Sequence, residues 1–489
     1  MTTSDYLEQL VQDRDDLVDN LTTKGITGLT GDETFTELVP EVLNIPSGGG
    51  SVEEKDVNFY DYDGTLTNSY TKAEFLALEA MPSNPTHDGL TSQGWNWSLE
   101  NAKSVVSENG TLDIGQQYTT DTGETRIYIT LSDEYLSPYL GIGVDGTAEI
   151  DWGDNTTHDT INGSGTSTII NTKHTYATSG NYVIKIISLN NARISFGGDN
   201  NYGSKIIWNN IQDTLSNYKY QSCITKIEMG NNADWIYPAS FKNCYNLKEI
   251  ILSSTIRSIS NFSDCYSLKF IIIPINFISF SSSGVFSNCY SLKKVIFPQN
   301  YTSTISLNFL NNCYSIKKVS IPKTITLGIS MFNSCYNLEE AVVAGNMSDS
   351  NVFASCYNLK KVTVLENCTS FGVACFQNCR SLKEIKILSN ITNIDNAAFG
   401  GCYNLLNIIF PSSVTTIGNT AFSNCLSIAY YDFTSHTSIP TLVNSNAFQN
   451  IPSDCKIIVP DDLYEDWIVA NNWSTYASYI IKASDWNNS

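Results

Sequence analysis

Basic residues are scarce in this chain of 489 residues. It has 28 lysines and arginines against 49 aspartates and glutamates, which gives a formal net charge of −21 at pH 7. Most of such a surface would repel a polyphosphate, so the composition argues against a general nucleic-acid-binding protein. We therefore predict no nucleic-acid partner, although a local basic strip is compatible with the total.

Long apolar runs and an export signal are absent as well. No apolar run approaches the roughly 18–20 residues that span a bilayer, and the opening segment Met1–Leu10 lacks a basic stretch followed by an apolar one. Hydrophobic residues still make up 42% of the chain and charged residues 16%, as in a folded protein. We expect no membrane insertion and no Sec-dependent export.

Histidine is rare, and the sequence shows no catalytic arrangement. Gly163-Ser-Gly165 is not a nucleophile elbow. None of the four histidines is at metal-ligand spacing; they are His87, His158, His174 and His436. The sequence therefore predicts no enzyme, no bound metal and no cofactor.

One motif has a catalytic interpretation that we reject. The segment Phe59–Leu66 resembles the D-x-D-G-T motif of haloacid dehalogenase phosphatases, which would make Asp61 the nucleophile and Asp63 the general acid/base beside Mg²⁺. That chemistry needs a doubly wound α/β body of roughly a hundred residues or more. A different domain begins near Gln117, so an Asp-Gly turn is the simpler interpretation.

Cysteine, in contrast, is abundant and regularly spaced. Nine of the thirteen cysteines recur at separations of 21–24 residues: Cys244, Cys265, Cys289, Cys313, Cys335, Cys356, Cys379, Cys402 and Cys425. The surrounding sequence reads F-x-x-C-Y-[NS]-[LI]-K-x-[IV], as in Phe286–Val295. A period of 20–29 residues with fixed Leu and Ile positions is typical of a leucine-rich solenoid with stacked parallel strands.

These repeats resemble the BspA-like (Treponema-type) leucine-rich repeats. The segments Phe410–Gly418 and Gly418–Cys425 match the pattern A-F-x-x-C-x-x-L-x-x-I-x-[IL]-P-x-x-[VI]-x-x-I almost position for position, and the resemblance covers residues 221–455. It implies about ten units stacked at strand spacing. Because no C-x-x-C or Cys/His cluster accompanies the cysteines, we predict that they are free thiols that fill a core position.

The repeat has one regular feature that packing does not require. The residue after the cysteine is Tyr in seven of the nine units: Tyr245, Tyr266, Tyr290, Tyr314, Tyr336, Tyr357 and Tyr403. Arg380 and Leu426 take the other two positions. Three residues further on, six units carry a lysine: Lys248, Lys269, Lys293, Lys317, Lys360 and Lys383. Glu339, Leu406 and Ala429 are the exceptions.

Two interpretations of the tyrosines stay open. They are either a stripe of aromatic platforms that binds sugar rings or a partner protein, or a stack between repeats that only stabilises the array. Residues 221–456 hold 16 basic and 12 acidic residues, so the solenoid itself is not acidic. An anionic partner at the repeats is therefore compatible with the composition.

The acidic charge is concentrated at the other end of the chain. Residues 1–56 carry 13 acidic residues against three basic ones, a balance of −10. Leu7, Leu10, Leu17 and Leu21 recur at helical spacing and predict a short amphipathic helix or coiled coil. This opening, with Asn20–Ile26, resembles N-terminal attachment segments of virion proteins from phages of Gram-positive bacteria.

A second β region precedes the repeats. From Gln117 to Asn190 apolar and polar residues alternate, which predicts a small antiparallel sandwich. Ala148–Thr156 and His174–Val183 resemble the W-x-F-G-D-G…H-x-Y-x-x-x-G-x-Y-x-V pattern of PKD domains, with Ile150, Trp152 and Asn155 as departures. We expect Asp151 and Asp154 to bind the turn backbone rather than Ca²⁺, and His174 and Tyr176 to be framework residues.

The predicted fold is thus multidomain and mainly β. The domains are an N-terminal helical attachment and oligomerisation segment (1–50), a small turn-rich linker domain (51–117), a PKD-like β-sandwich (118–190), BspA-like leucine-rich repeats (191–455) and a C-terminal cap (456–489). We expect the cap to be a strand and an amphipathic helix carrying Trp467, Trp473 and Ile480, because a solenoid must cover its terminal apolar face.

This order of parts predicts a phage virion structural protein of the tail-fibre or receptor-binding type, which binds the bacterial host through its solenoid. The expected partners are other virion proteins at the N-terminus, a host-surface glycan or protein, and further copies of the chain, a trimer included. The expected location is the virion, on the tail or capsid surface, after assembly in the host cytoplasm. The alternatives are a capsid-attached head fibre and a bacterial cell-surface leucine-rich-repeat adhesin, against which the missing signal peptide and wall-sorting motif count.

Overall fold

The computed structural model describes residues 54–196, 207–208 and 222–486, except for positions 238, 239, 281, 300, 302–304, 306 and 324. The predicted attachment helix within residues 1–50 lies outside the described residues. Everything described belongs to one unit, Glu54–Ser489. It consists mainly of β-strands arranged as a solenoid of about 11 turns with few helices.

The first part is a small sheet with two helices on one face. Its elements are β1 (Val57–Tyr60), β2 (Leu66–Tyr70), α1 (Lys72–Leu76), β3 (Leu90–Trp95), α2 (Leu99–Asn109) and β4 (Leu112–Thr120). The strand order is β2-β1-β4-β3, with β1 and β4 parallel. Thr71 and Glu74 form a capping box at the start of α1. Residues 51–117 were predicted as a small turn-rich linker domain, and their described part, from residue 54, forms a sheet and two helices with their own core.

The Asp-Gly motif lies in the turn between β1 and β2. Asp63 Oδ1 accepts a hydrogen bond from the Thr65 backbone N–H at 2.8 Å, and the Gly64 N–H donates to the Asp61 carbonyl at 3.0 Å. Asp61 Oδ2 lies 2.7 Å from His87 Nε2. These contacts are those of a turn, as predicted, because each carboxylate is engaged by a neighbouring donor.

The second part consists of long antiparallel strands. They are β5 (Thr125–Leu131), β6 (Tyr139–Asp151), β7 (Asp159–Lys173) and β8 (Gly180–Phe196), with the short β9 (Ile207–Trp208) beside β6. The four long strands pair in the order β5-β8-β6-β7. As predicted, Asp151 and Asp154 accept hydrogen bonds from the backbone N–H groups of Gly153 (2.9 Å) and Thr156 (3.2 Å).

The structure does not confirm a separate PKD-like sandwich. The strands of this part belong to a ten-stranded sheet that continues into the repeats, because β5 and β8 pair with the first repeat strands, β10 (Ile224–Glu228) and β11 (Ala233–Ile236). The predicted boundaries at residues 117 and 190 fall inside β4 and β8. This part covers the first apolar face of the solenoid, which would otherwise be exposed to water.

The repeats themselves build two files of parallel strands. The longer file is β12 (Glu249–Ile251), β14 (Phe270–Ile272), β16 (Lys294–Ile296), β17 (Lys318–Ile321), β18 (Glu340–Val343), β19 (Lys361–Val364), β21 (Glu384–Ile387), β23 (Asn407–Ile409), β25 (Tyr430–Asp432) and β27 (Lys456–Val459). The shorter file is β13 (Ser258–Ile259), β15 (Ser279–Phe280), β20 (Ser370–Phe371), β22 (Asn393–Ile394), β24 (Thr416–Ile417) and β26 (Thr441–Leu442). Residues on successive strands pair in constant register, for example Ala341 with Val362.

The interior consists of ladders of like residues. Phe332, Phe353, Phe376 and Phe399 stack with ring centroids 5.0–5.5 Å apart, because parallel strands repeat at roughly 4.8 Å. All thirteen cysteines are buried free thiols. Burial raises the pKa of the Cys335 thiol to about 12, so at neutral pH the group keeps its proton.

Eight of the nine repeat cysteines also donate that proton in a hydrogen bond. The Sγ of Cys356 donates to the carbonyl of Phe332 in the preceding turn at 3.1 Å, and Cys379 does the same to Phe353 at 3.1 Å. The same bond recurs from Cys265 to Cys425. Cysteine is therefore a small apolar residue that also gives a buried carbonyl a second donor, beside a backbone N–H such as that of Cys335, which a leucine or alanine could not do.

The residue before each cysteine has a left-handed backbone. Its φ lies between 59° and 77° in all nine units: Asn243, Asp264, Asn288, Asn312, Ser334, Ser355, Asn378, Gly401 and Asn424. Asn and Gly tolerate this conformation best among the amino acids. Asn312 Nδ2 also donates to Asn288 Oδ1 at 2.8 Å, so the side chains bridge consecutive turns.

The end of the solenoid differs from the predicted strand and helix. After β27 the chain forms one α-helical turn, α3 (Tyr464–Trp467), and a further parallel strand, β28 (Ile480–Lys482), beside β27. Short 3-10 helices lie at Asp461–Leu463, Trp473–Tyr476 and Ala483–Asp485. Trp467, Trp473 and Ile480 are buried as expected. The positive φ of Asn472, 62°, turns the chain sharply and lets the cap follow the path of one more repeat.

The first small sheet packs sideways against the longer strand file. Tyr60 and Leu66 contact Phe270, Ile272 and Ile296. A Cβ on Gly115 would lie 2.6 Å from the Ile272 side chain, so only glycine fits at this contact. Trp97 Nε1 donates to the Phe297 carbonyl at 2.9 Å, and Lys294 Nζ lies 2.9 Å from Asp113 Oδ2. The sheet thus hides the outer face of the early turns and leaves the later turns open.

The thiol hydrogen bond gives a stability prediction. Cys356→Ala should lower the free energy of unfolding by about 1–3 kcal/mol, because the Phe332 carbonyl loses one of its two donors, keeping only the Cys335 backbone N–H, and a small cavity forms. Cys356→Ser keeps a donor and should lose less. Denaturant unfolding followed by circular dichroism measures the difference. An alanine variant as stable as the parent would show that the sulfur only fills space.

Candidate ligand-binding surface

The seven predicted tyrosines share one side of the solenoid, and we call them the tyrosine file. From Tyr245 to Tyr357 the rings stack face to face, with consecutive centroids 4.7–5.0 Å apart and interplanar angles of 2–20°. Arg380 continues the stack, its guanidinium carbon 4.7 Å from the Tyr357 ring centroid and 5.7 Å from that of Tyr403. The file is therefore one column of planar groups.

Stacking determines which part of each ring faces the solvent. The two faces of an interior ring, such as that of Tyr314, are covered by the rings of the turns before and after it. The ring edges and hydroxyl groups stay accessible, and Tyr290 and Tyr403 are each 37% exposed. Within the part of the chain that the structure describes, the hydroxyls of Tyr266, Tyr290, Tyr314, Tyr336, Tyr357 and Tyr403 make no hydrogen bond.

The six predicted lysines form a second column, which we call the lysine file. All six are exposed: Lys248, Lys269, Lys293, Lys317, Lys360 and Lys383. Backbone hydrogen bonds join this position from turn to turn, for example from the Lys293 N–H to the Lys269 carbonyl at 2.8 Å and from Lys383 to Lys360 at 3.0 Å. The lysines are therefore held at the same spacing as the tyrosines.

Few of these lysines have a counter-ion. Lys360 Nζ lies 2.7 Å from Glu339 Oε2, at the one position where an acidic residue interrupts the file. Among the described residues, no carboxylate lies within ion-pair distance of Lys248, Lys269, Lys293, Lys317 or Lys383. The surface formed by the two files is therefore locally positive, in a chain whose net charge is −21.

Among the described residues, two of the larger grooves adjoin the longer strand file. One, of about 280 Å³, lies beside the first small sheet, and its Lys294 and Lys318 are paired with Asp113 and Glu340. The other, of about 480 Å³, lies at the start of the lysine file, between Tyr128, Tyr182 and Lys248. The charges of the first groove are already neutralised, which leaves the tyrosine and lysine files as the more regular candidate site.

The remaining candidates are structural. His174 Nε2 lies 2.8 Å from Asp154 Oδ2, and the Tyr176 hydroxyl donates to the Trp152 carbonyl at 2.9 Å, so both are framework residues as predicted. Over the described ranges, no group of three or more His, Cys, Asp or Glu side chains could hold a metal ion. No helix in those same ranges has the length and apolar character needed to span a membrane.

Comparison with known proteins identifies the repeats. The family model described as "BspA type Leucine rich repeat region" matches residues 209–339, 261–383 and 330–459. Together these matches cover just over half of the chain. The chain belongs to the BspA-type leucine-rich repeat family. Proteins of this repeat type bind ligands without catalysing reactions. The comparison with curated proteins finds no match.

Solved structures of leucine-rich repeat proteins are similar to this chain at low identity. A leucine-rich repeat protein from Bacteroides ovatus is 21% identical over 53% of this chain and 84% of its own, with a TM-score of 0.32. A leucine rich cell surface protein from Faecalibacterium prausnitzii is 20% identical over 53% and 76%, with a TM-score of 0.31. The pneumococcal vaccine antigen PcpA is 18% identical over 52% and 76%, with a TM-score of 0.29.

Sequence reasoning predicted the two files and left two interpretations of the tyrosines open, aromatic platforms or a stack between repeats, and the structure shows the stack. The repeat pattern could not choose between them, because ring orientation depends on side-chain rotamers that the pattern does not specify. Sequence reasoning missed Arg380 as a member of the column. A planar cation at a tyrosine position was the available signal, since guanidinium groups stack on aromatic rings.

The stacked phenols should affect stability at high pH. Burial raises the pKa of Tyr266 and Tyr314 above the usual 10.0. A phenol with a raised folded pKa stabilises the fold below the unfolded pKa, and this contribution is lost as the pH rises through the folded value. We expect Tm to fall above pH 10. We also expect part of the phenolate absorbance to appear only at a pH above the one at which an unburied tyrosine ionises. The double variant Tyr266→Phe with Tyr314→Phe should reduce the part of the absorbance that appears at the higher pH. Ionisation of every tyrosine near pH 10 at constant Tm would contradict the idea.

Proposed function

We propose that this chain is a binding protein of the adhesin type, which attaches to a cell surface through the tyrosine and lysine files of its solenoid. One observation carries the proposal: over many turns the lysine column is exposed and the tyrosine column is at least partly exposed, although the hydrophobic ladders alone account for packing of the interior. Surface residues repeated at every turn make an extended contact area, and tyrosine offers such area at low entropic cost. Membership in a family of binding repeats supports it.

We propose that the chain is part of a phage virion, as a tail-fibre or receptor-binding component. The support is the resemblance of the N-terminal sequence to virion attachment segments, together with its concentrated negative charge. Other virion proteins would bind this end, further copies of the chain would associate with it, and the solenoid would bind a host glycan or protein. A capsid-attached head fibre is the same proposal at another position on the particle.

A bacterial cell-surface adhesin is the second candidate, and the repeats fit it equally well. BspA-like repeats resemble those of secreted adhesins, so the repeat family alone does not distinguish a virion protein from a bacterial surface protein. The location of the protein does distinguish them. We expect mass spectrometry to find the chain in purified virions and to find none in the surface fraction of uninfected cells. Detection in a cell-wall fraction without virions would establish the adhesin instead.

Binding can be tested with a triple substitution at the centre of the tyrosine file. Tyr290→Ser, Tyr314→Ser and Tyr336→Ser together should weaken binding to intact cells by about tenfold or more, because truncation of central aromatic contacts commonly has that effect. Flow cytometry with the labelled full chain measures binding, and circular dichroism verifies folding.

The solenoid supplies a matched control on another side. Leu307, Ile329 and Val373 are exposed apolar residues outside both files, and their joint replacement by serine should leave cell binding unchanged. Equal binding by the parent, the tyrosine variant and this control would remove the files as the binding surface.

A further inference from the structure

We propose that the tyrosine and lysine files bind a linear anionic glycopolymer, which lies along the solenoid axis and carries a carboxylate or phosphate in each repeating unit. The inference rests on the proposed function, because it names the ligand class for the same surface. It assigns different roles to the two columns. The lysine ammonium groups bind the charges, and the tyrosine hydroxyls bind polar oxygens between them.

The first argument is the direction of the surface. Hydroxyl groups recur along the solenoid with ring centroids 4.7–5.0 Å apart, and the lysines recur once per turn beside them. A compact ligand would contact only two or three turns and would leave the others unused. A polymer with a short chemical repeat can make equivalent contacts at each turn, so that weak contacts add along its length.

The second argument is charge. The two files contain six lysines and Arg380 against the single acidic residue Glu339. Adjacent ammonium groups in a column at roughly strand spacing lie well within the Debye length of about 8 Å at physiological ionic strength, so they repel each other and reinforce one another's potential. An anionic chain relieves this repulsion along the whole column. A neutral ligand would leave it in place.

The residues between the files fit the same ligand. The position between tyrosine and lysine that is two residues after each cysteine is a small neutral polar residue throughout: Asn246, Ser267, Ser291, Ser315, Asn337, Asn358, Ser381, Asn404 and Ser427. No bulky or acidic side chain separates the hydroxyl column from the ammonium column. A polymer can therefore contact both columns at once.

The third argument excludes two other classes of ligand. Neutral sugars and nucleobases are commonly bound by stacking on an aromatic face, which single-stranded nucleic-acid proteins use for successive bases. In this protein the faces of Tyr266, Tyr290, Tyr314 and Tyr336 are covered on both sides by other tyrosines. The accessible ring edges carry a weak partial positive charge and the hydroxyls form hydrogen bonds, so they favour a hydroxylated, charged polymer over a flat ring.

The proposal can be tested by calorimetry with the full chain. The probes are hyaluronan oligosaccharides, which carry carboxylates, poly(glycerol phosphate), which carries phosphates, dextran oligosaccharides as neutral sugars, and a single-stranded oligonucleotide. We expect binding to one or both glycopolymers, stronger for longer oligomers and weaker at higher salt, and no binding to dextran. Preference between hyaluronan and poly(glycerol phosphate) distinguishes carboxylate from phosphate recognition.

Two pairs of variants separate the roles of the columns. Lys293→Gln with Lys317→Gln should weaken glycopolymer binding by at least about tenfold, because two charge-assisted contacts are lost. Lys361→Gln with Lys386→Gln removes the same charge from exposed lysines on β19 and β21 and should have little effect. Tyr314→Phe with Tyr336→Phe keeps the stack but removes two hydroxyls, and should weaken binding about fivefold.

Several results would overturn the inference. If both pairs of lysine substitutions weaken binding equally, the effect depends only on net charge. If the Tyr→Phe variant binds as tightly as the parent, the hydroxyls do not take part in recognition. Dextran or the oligonucleotide binding as tightly as the glycopolymers would exclude the ligand class. If whole cells bind through the tyrosine file while no glycopolymer binds, the proposed function stands and this inference fails. If glycopolymers bind and cells do not, the adhesion function fails and the inference stands.

Discussion

Hydrogen bonding between consecutive turns is the constraint on which the rest of this structure depends. Parallel strands and the turns between them are joined backbone to backbone, for example from the Phe376 N–H to the Ala398 carbonyl at 2.7 Å. This distance fixes the rise per turn near the strand spacing. Any side chain that recurs at the same place in the repeat must then meet its own copy at that distance. Aromatic rings stack, amide groups bridge, thiols reach the previous carbonyl, and lysines repel one another as a direct result.

The sequence was informative wherever a property belongs to one repeat. The period, the two side-by-side files and the core position of cysteine could all be predicted because each unit repeats the same pattern. Properties that arise between units were harder. The thiol hydrogen bond requires knowledge of which carbonyl lies within reach of the sulfur, and the choice between stacked rings and open aromatic platforms requires the side-chain rotamers. The left-handed backbone of the residue before the cysteine could have been predicted from the sequence. Asn, Asp, Ser and Gly alternate at that position, and they share a tolerance of positive φ.

The region before the repeats was predicted less well, because alternation of apolar and polar residues continues unbroken across its boundaries. The strands β4 and β8 run through the positions where domains were expected to end. One signal of the sideways packing was present. Ile272 and Ile296 occupy outward positions on β14 and β16, whereas Thr363 and Lys386 occupy the equivalent positions on β19 and β21. Apolar residues on the outside of early turns indicate that something covers those turns, and the first small sheet does so.

The two ends of the solenoid are unlike each other and unlike its interior, and this difference has an evolutionary consequence. The β5–β8 sheet closes one end, and Trp467 and Trp473 close the other. Between them, Cys379, Cys402 and Cys425 mark units of equal length, 23 residues apart. Duplication or deletion of one such unit by unequal recombination would leave both ends intact, since each turn contacts only its neighbours. The length of the exposed columns can therefore change in whole steps over generations, while the protein remains folded at every step.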